Sequence, residues 1–302
     1  WSGAHQPAFL KADGASGECL RYSQIRPDIT LFPMRTPTLP PATHTNTYLI
    51  GGSEFLLVEP ASPYTEERRA LQAHLDARMA EGHHLRGIFL THHHHDHIGA
   101  VAHFASLYQV PVMAHHETAN RVPFTVDELY DQGDKIQLSD GVILDVHHTP
   151  GHAPGHLCLV HRGCGTAVVG DMVAGLGSIL VEPVDGDMAS YLDSLARLRK
   201  LGLSCLLPSH GPGIGGADEK LTEYITHRLN RERLTIDALN AGKSSLTALL
   251  EVVYADVPSM LRTGPGGGLA GASLKAHLIK LCDEGRAIQL GEESWSVGPL
   301  PT

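Results

Sequence analysis

Apolar runs of two kinds alternate along the first part of the chain. From Ile29 onward, the runs "ITLFPM", "NTYLIGG" and "EFLLVEP" are short, rich in apolar residues and separated by turn residues. Such runs are typical of strands joined by hairpin loops, and Gly51-Gly52 suits a tight turn. The next run, residues 65–82, carries Leu71, Leu75 and Met79 on one helical face, with glutamates in its first turn and a glycine after its end. This pattern predicts an amphipathic helix.

The same alternation continues to residue 208. A buried strand "GIFLT" precedes a helical pattern over His97 to Gln109 and a strand "VPVMAH". Four further strands are predicted in "KIQL", "GVILDVHHT", "HLCLVHRG" and "TAVVG", then a helix in "MASYLDSLARLRKLG" and a strand in "SCLLPS". Strands interleaved with helices in both halves predict a layered α/β domain.

The pattern changes at the glycine-rich segment 211–220. A long charged helix follows, then a helix in "SSLTALLEVVYADVP" that begins at a serine N-cap, and a helix in "LAGASLKAHLIKLCDEG" after the loose "RTGPGGG". Two short strands, "RAIQL" and "SWSV", close the chain. Three helices before a hairpin are typical of a winged helix. We therefore expect a main domain over residues 1–216 and an appendage over residues 217–302.

Composition narrows the class of protein. The chain has 302 residues, of which 42% are hydrophobic, and its net charge of −10 gives no general attraction to nucleic acid or anionic membranes. No apolar run approaches the ~18 residues of a membrane span, so we expect a soluble protein. Five scattered cysteines without a CxxC pair favour a reduced, cytoplasmic location. The first residues lack the plan of a signal peptide.

Histidine is abundant, with 21 residues, and five of them lie with one aspartate in positions 92–97, "HHHHDH". The run follows a predicted strand and precedes a predicted helix. Residues two apart in an extended loop project to the same side, so His92 and His94 can converge on one cation. Asp96 and His97 point elsewhere and can serve a second cation, which leaves the two remaining histidines, His93 and His95, as spacers. Imidazole with carboxylate suits zinc, iron or manganese.

Three later segments place polar residues just past predicted strands. "HHTPGHAPGH" has a histidine after a Pro-Gly turn, "VVGDMV" has Asp171, and "LLPSHGP" has His210. Loops that follow strand ends gather at one rim of a sheet. We therefore expect these residues to join the cluster at 92–97.

The motifs H-x-H-x-D-H, T-P-G-H-x-x-G-H, G-D and P-x-H-G, in this order, resemble those of the metallo-β-lactamase-fold hydrolases over residues 29–216. The pattern is closer to the glyoxalase II branch than to the antibiotic-degrading enzymes. The region from "YITHRLNRERL" to "LKAHLIKLCDEGRA" resembles the winged-helix extension of the β-lactamase-like protein 2 subfamily. The resemblance implies an α/β fold in the form of a four-layer αββα sandwich with a C-terminal winged helix.

The resemblance also implies a site of two metal ions, with zinc expected and iron or manganese as alternatives. One ion is assigned to His92, His94 and His152, the other to Asp96, His97 and His210, and Asp171 bridges the two. His156 matches a position that is not a ligand. A hydroxide shared by two ions about 3.5 Å apart attacks a carbonyl or phosphorus atom, and Asp96 is the candidate catalytic residue that holds it in line.

Three residues depart from the family pattern. Glu59 stands where an aspartate usually braces the metal loop, and its extra methylene is expected to loosen that support. Ser209 and Ala100 replace the commoner glycines. None of the three removes a proposed ligand.

The substrate is left open between two classes. A thioester, ester or lactone is expected first, and single-stranded RNA is the alternative, since the subfamily resemblance permits an endoribonuclease. Residues 217–302 carry nine Lys and Arg against eleven Asp and Glu, a net charge of −2, whereas a nucleic-acid-reading winged helix is usually basic. A lid or homodimer surface is the preferred role of the appendage. The hypothesis from another class is a non-catalytic member, either a metal-binding scaffold or a winged-helix regulator.

Overall fold

The computed structural model of the protein describes residues 22–263 and 267–298. Cys19 lies outside these ranges. So do the first residues, on which the expectation about a signal peptide was based. So does part of the "RTGPGGG" loop. No helix in the described part of the chain is long and apolar enough to cross a membrane.

The first sheet has seven strands whose order in the sheet follows their order in the chain. The first four pair antiparallel, and the fourth to seventh pair in parallel. The strands are β1 (Ser23–Arg26), β2 (Ile29–Arg35), β3 (His44–Gly51), β4 (Glu54–Val58), β5 (His84–Phe89), β6 (Val112–Ala114) and β7 (Glu128–Leu129). The predicted tight turn joins β3 to β4, where Gly51 has φ of 126°, a conformation that favours glycine.

The second sheet has five strands in the order β12-β11-β10-β9-β8. They are β8 (Lys135–Gln137), β9 (Ile143–His148), β10 (Leu157–His161), β11 (Thr166–Gly170) and β12 (Cys205–Pro208). The β11–β12 pair is parallel, the other pairs are antiparallel, and the β11–β12 register shifts between Val168 and Gly170. This irregularity lies directly before Asp171, so the strand ends where the polar rim begins.

Helices cover the outer face of each sheet. They are α1 (Thr65–Ala80), α2 (His95–Ile98), α3 (Val101–Tyr108), α4 (His116–Ala119) and α5 (Met188–Arg199). Leu71 and Leu75 of α1 and Phe104 of α3 pack on the first sheet, and Tyr191 and Leu195 of α5 pack on the second. A third apolar layer fills the space between the sheets. The predicted four-layer αββα sandwich is therefore confirmed.

The C-terminal part forms its own apolar cluster. It contains α6 (Ala217–Asn240), α7 (Leu246–Val253), α8 (Ser259–Arg262), α9 (Gly268–Asp283), β13 (Ala287–Gly291) and β14 (Ser294–Val297). The two strands pair antiparallel, as the winged-helix prediction requires. The predicted serine cap is Ser245, whose hydroxyl accepts a hydrogen bond from the Ala248 N–H. The short α8 was not predicted.

One predicted helix is divided into two. The pattern over His97 to Gln109 is divided into α2 and α3, with a break at Gly99 and Ala100. The Gly99 N–H donates to the Ala61 carbonyl, and the Ala100 N–H to the Pro60 carbonyl. A Cβ on Gly99 would lie 2.5 Å from the Ala61 oxygen, so the close approach of two chain segments interrupts the helix here.

Candidate metal centre

All seven side chains named from the sequence lie at one rim of the sandwich. His92, His94, Asp96 and His97 come from the loop and short helix after β5, His152 from the loop after β9, Asp171 from the end of β11, and His210 from the end of β12. The two sheets are joined at this rim by Asn46, which donates to the carbonyls of Pro208 and Gly211. The strand ends are thereby held at a fixed separation.

His92, His94 and His152 form the first half of the site. The Nδ1 atom of His94 lies 3.0 Å from Nε2 of His92 and 3.0 Å from Nε2 of His152. Two nitrogen ligands about 2.1 Å from one zinc ion lie about 3.0–3.4 Å apart, depending on the coordination geometry. The three nitrogens are therefore spaced as ligands of one ion.

The opposite nitrogen of each ring determines its tautomer. His94 Nε2 lies 2.9 Å from the Asp185 carboxylate, and His152 Nδ1 lies 2.7 Å from the Leu180 carbonyl. His92 Nδ1 lies 2.9 Å from the hydroxyl of Thr91, which itself donates to Glu59. Each neutral ring therefore carries its proton on the outer nitrogen and directs a lone pair inward. Three lone pairs facing one another repel unless a cation lies between them, so this arrangement fits a metal ion.

His97, His210 and Asp96 form the second half. His210 Nδ1 donates to the His44 carbonyl, so its Nε2 lone pair faces Asp96 Oδ2 at 3.5 Å. His97 is fully buried, and neither of its ring nitrogens has a hydrogen-bond partner in the described structure, although Nδ1 lies 3.2 Å from Glu59 Oε2. A buried polar atom without a partner is costly. A cation bound by Nε2 of both His97 and His210 would give His97 Nε2 a partner.

Asp171 lies between the two halves. Its Oδ2 is 3.5 Å from His152 Nε2 and 3.7 Å from His97 Nε2, and its Oδ1 is 3.5 Å from His210 Nε2. Among the described residues, no lysine or arginine lies within ion-pair distance of Asp171. Buried carboxylates without basic partners require another positive charge, and divalent cations would provide it.

The two halves differ in their electrostatics. Burial lowers the pKa of His92 well below its ordinary value and that of His152 to about 4, so both are neutral and available as ligands. Burial by itself would lower the pKa of His97 as well. The carboxylates of Glu59, Asp96 and Asp171 outweigh burial and raise the pKa of His97 well above its usual range. The second half therefore attracts positive charge more strongly than the first.

Two residues behind the site hold the backbone of Asp171. The Asp171 N–H donates to His156 Nε2 at 3.1 Å, and His156 Nδ1 lies 2.8 Å from the Thr149 hydroxyl. A Cβ on Gly170 would lie 2.4 Å from His156 Nε2, so only glycine fits there. His156 thus lies next to the cluster, in contact with the main chain of Asp171 rather than with its carboxylate.

Two of the three departures from the family pattern fit one another. Glu59 is fully buried, and its carboxylate accepts hydrogen bonds from Thr91 and, at 2.7 Å, from Ser209. The serine that replaces a glycine thus supplies a donor for the longer acid. Ala100 is buried in the turn between α2 and α3. The contacts with Thr91 and Ser209 accommodate the extra methylene of Glu59.

Asp185 is a site residue that sequence reasoning missed. It lies in the loop before α5, where its Oδ2 is 2.9 Å from His94 Nε2 and 3.2 Å from His93 Nε2. His93 therefore contacts the same carboxylate as its neighbour, whereas His95 is exposed. The segment "EPVDGD" contains three acids, and no spacing distinguishes Asp185 from the others. Only the folded chain brings it to His94.

A cleft of about 550 Å³ adjoins the cluster at Asp185 and Gly151. Its wall includes another group of potential metal ligands, His115, Asp131 and His148. The two imidazoles stack at 4.2 Å with an angle of 13° between their planes. Nearly parallel rings cannot direct their in-plane lone pairs at one ion without a ring rotation, so this group does not form a preorganised metal site.

Fold and rim together define a metal-dependent hydrolase built on an αββα sandwich. Residues 40–210 match the family model described as Metallo-beta-lactamase superfamily, and residues 245–295 match that of the Beta-lactamase associated winged helix domain. The chain therefore belongs to the metallo-beta-lactamase superfamily. The resemblance seen in the motifs is confirmed, and the hypothesis of a non-catalytic scaffold is not supported.

Individual relatives cover most of the chain. It is 30% identical to the Beta-lactamase-like protein 2 homolog of Caenorhabditis elegans over 80% of this chain and 79% of that protein. It is 31% identical to the Atrochrysone carboxyl ACP thioesterase of Aspergillus chevalieri over 71% of this chain and 69% of that protein. The crystal structure of a metallo-beta-lactamase family protein from Thermus thermophilus matches with a TM-score of 0.71 and 25% identity, over 90% of this chain and 99% of that one.

Proposed function

We propose that the protein is a dinuclear zinc hydrolase that cleaves a thioester, ester or lactone bond. The proposed ligands are His92, His94 and His152 for one ion, Asp96, His97 and His210 for the other, and Asp171 for both. The observation that carries this proposal is the convergence of three inward lone pairs, each fixed by a partner on the outer nitrogen. Outer partners of this kind are the usual companions of metal-binding histidines.

A ligand set of five imidazoles and two carboxylates suits zinc, with iron and manganese as alternatives. Bound there, two divalent cations supply Lewis acidity for a substrate carbonyl and lower the pKa of a water molecule toward neutrality. The chain itself supplies orientation. Burial opposes ionisation of Asp96, but His97 and a hydrogen bond from Thr38 hold the pKa of this carboxyl below its ordinary value. Asp96 is therefore an anion that accepts a hydrogen bond from the attacking water.

The surface around the rim favours an acyl substrate. Leu39 is 52% exposed beside Thr38, Leu176 is 66% exposed in the loop after Asp171, and Val184 is 93% exposed on the wall of the cleft. Apolar side chains grouped around a polar site offer contacts for a hydrocarbon chain. The relative named as an acyl-carrier-protein thioesterase supports the same substrate class.

The charges favour an acyl substrate over RNA. Four carboxylates line the cleft, from Glu117, Asp131, Asp185 and Asp187, and the arginine of its wall, Arg121, is paired with Glu117 and Asp185. In the appendage, the two lysines of α9 are paired as well: Lys275 contacts Glu293, and Lys280 contacts Glu232. Basic groups that are already neutralised bind phosphates weakly. The RNA alternative stays a prediction.

The organisation of the chain is part of the proposal. We assign the catalytic unit to residues 1–216 and the winged-helix appendage to residues 217–302. A cytoplasmic location is supported by the four cysteines in the described ranges, all of which are free. A homodimer through the appendage stays a prediction.

The test is a substrate panel on untagged, zinc-loaded protein. Acyl-pantetheine thioesters, simple esters, lactones and single-stranded RNA are incubated with and without chelator, beside the His94→Ala variant. We expect chelator-sensitive and His94-dependent hydrolysis of a carbonyl substrate. Cleavage of RNA alone, or carbonyl hydrolysis that survives both treatments, would contradict the proposal.

A further inference from the structure

Helix α6 of the appendage reaches the loop that follows the proposed bridging residue. The Tyr224 hydroxyl accepts a hydrogen bond from the Ala174 N–H at 2.9 Å and donates to the Gly177 carbonyl at 3.0 Å. Tyr224 is itself buried in the apolar cluster of the second sheet. Tyr224 of the appendage therefore holds the loop of residues 174–180 through two hydrogen bonds. A second residue of α6, one helical turn further along, contacts the same loop.

That second residue is Arg228, which is only 2% exposed. Its guanidinium donates to the Ile179 carbonyl and lies over the Tyr191 ring, 5.4 Å from the centroid. Among the described residues it makes no ion pair, and its Nε has no hydrogen-bond partner. Burying a charge without a carboxylate is unfavourable for stability. An apolar residue would fill this position at lower cost, so stability alone does not explain the arginine.

The carbonyl next to the one that Arg228 binds belongs to Leu180, and it accepts the His152 Nδ1 proton at 2.7 Å. The Tyr191 ring below the guanidinium has its own link to the rim, since its hydroxyl donates to the Met172 carbonyl at 2.7 Å. Met172 follows Asp171 in the chain. Arg228 therefore contacts directly the segment that orients His152, and it reaches the segment that follows Asp171 only through Tyr191.

We propose that Arg228 is a positioning residue through which the appendage orients the proposed metal ligand His152. The guanidinium fixes the Ile179–Leu180 peptide segment, and the Leu180 carbonyl fixes the His152 ring with Nε2 facing inward. The appendage is then a structural part of the metal centre, in addition to any role as a lid or dimer surface. This inference rests on the proposed dinuclear function.

The test compares Arg228→Met with Arg231→Met. Arg231 lies on the same helix and is also buried, but it contacts the Val253 carbonyl and Asp256 within the appendage. Stepwise zinc affinities are measured by competition with a chromophoric chelator, and hydrogen exchange is followed over residues 172–182. In Arg228→Met we expect one of the two zinc-binding steps to weaken roughly 10-fold, the low end for loss of a ligand's outer support. We also expect faster exchange in this segment.

Arg231→Met should leave both readouts as in the wild type. Melting temperatures serve as the control for folding, because Arg231→Met removes one partner of the Arg231–Asp256 ion pair and is expected to lower stability without touching the rim. If Arg228→Met does not fold, Arg228→Lys and Tyr224→Phe provide the same comparison, each with a smaller expected loss. Zinc affinities within twofold of wild type, an unchanged loop, or an equal loss in Arg231→Met would overturn the inference. The wild-type zinc stoichiometry tests the proposed function separately.

Discussion

The molecule contains two groups of histidine and aspartate within reach of one cleft, and they differ in how their rings are held. At the rim, the outer nitrogens of His92, His94 and His152 all face an acceptor, and the inner lone pairs converge. On the cleft wall, His115 Nδ1 instead accepts a hydrogen bond from the first turn of α4, and its ring stacks on His148. The residue types are the same in both groups.

On the proposed assignment, the rim group and the wall group differ in their outer partners rather than in the number of ligand atoms. His115 Nε2 and His148 Nδ1 both lie within 4 Å of Asp131 Oδ1. A metal bound to His115 Nε2 would need the proton on Nδ1, where it would face the Glu117 N–H. We therefore expect the rim group to bind zinc far more tightly than the wall group.

The largest effect is expected from a ligand at the rim. His94→Ala removes one nitrogen from the three that converge, so the ion it helps to bind should be lost. Turnover should fall by about three orders of magnitude, the scale of several kcal/mol of metal stabilisation. His148→Ala is the matched control and should keep most of the activity, as should the exposed His95→Ala. Equal losses in His94→Ala and His148→Ala would erase the distinction between the two groups.

The next effect compares Asp171 at the rim with Asp131 on the cleft wall. Asp171→Asn keeps the size of the side chain but removes the charge that lies between the two halves, and an amide bridges two cations poorly. We expect the fold to be retained, about one metal to be lost and turnover to fall at least ~100-fold. Asp131→Asn should change neither quantity. Elemental analysis and steady-state kinetics on both variants check this. Wild-type turnover in Asp171→Asn with both metals bound would show that the bridging role is wrong.

A smaller effect is expected from the outer support of His94. Asp185→Ala removes the acceptor of the His94 Nε2 proton and should weaken zinc binding ~10–100-fold. Asp187, two residues away, caps α5 by accepting from the Ser190 N–H. Asp187→Ala should instead cost about 1 kcal/mol of stability and leave zinc affinity unchanged. Chelator competition and denaturant unfolding separate the two outcomes, and a reversal of the pattern would contradict the assignment of Asp185.

The smallest effect concerns the pH dependence of stability at the wall group. Burial and the neighbouring His148 and His116 lower the pKa of His115 from 6.5 to about 4. Between these values the unfolded chain binds more protons than the folded one, so this residue makes stability decrease as the pH falls through the interval. His115→Asn keeps an N-cap acceptor and removes the titration. Its melting temperature should decrease less on acidification than that of the wild type; an equal decrease would contradict this account.

The fold was largely predictable because its signals are local. The strands before the rim are short apolar runs with clear turn residues, and α1 and α5 carry regular apolar faces. The division between α2 and α3 was not predictable, because it depends on carbonyls of Pro60 and Ala61 that are distant in sequence. The membership of the rim was implied by the family resemblance of the motifs, and the later ligands, His152, Asp171 and His210, each follow a strand.

The supports of the rim could not be predicted. Asp185 and the Leu180 carbonyl lie in a loop without regular structure. Every residue has a backbone carbonyl, so the sequence does not indicate which one accepts a hydrogen bond from a ligand. Glu59 and Ser209 appeared as separate departures, although one donates to the other across 150 positions in the chain. Arg228 lies in a helix whose charged residues suggest an exposed surface, and only its burial reveals a contact with the rim loops. Long-range contacts of this kind are specified by packing rather than by pattern.

The central claim is that the rim group alone forms a dinuclear metal site. The most direct measurement is the metal content of untagged protein, after dialysis against trace zinc, for the wild type and for the His115→Ala/His148→Ala double variant. The account predicts about two metal ions per chain in both proteins. Fewer than one ion per chain in the wild type, or the loss of an ion in the double variant, would contradict it.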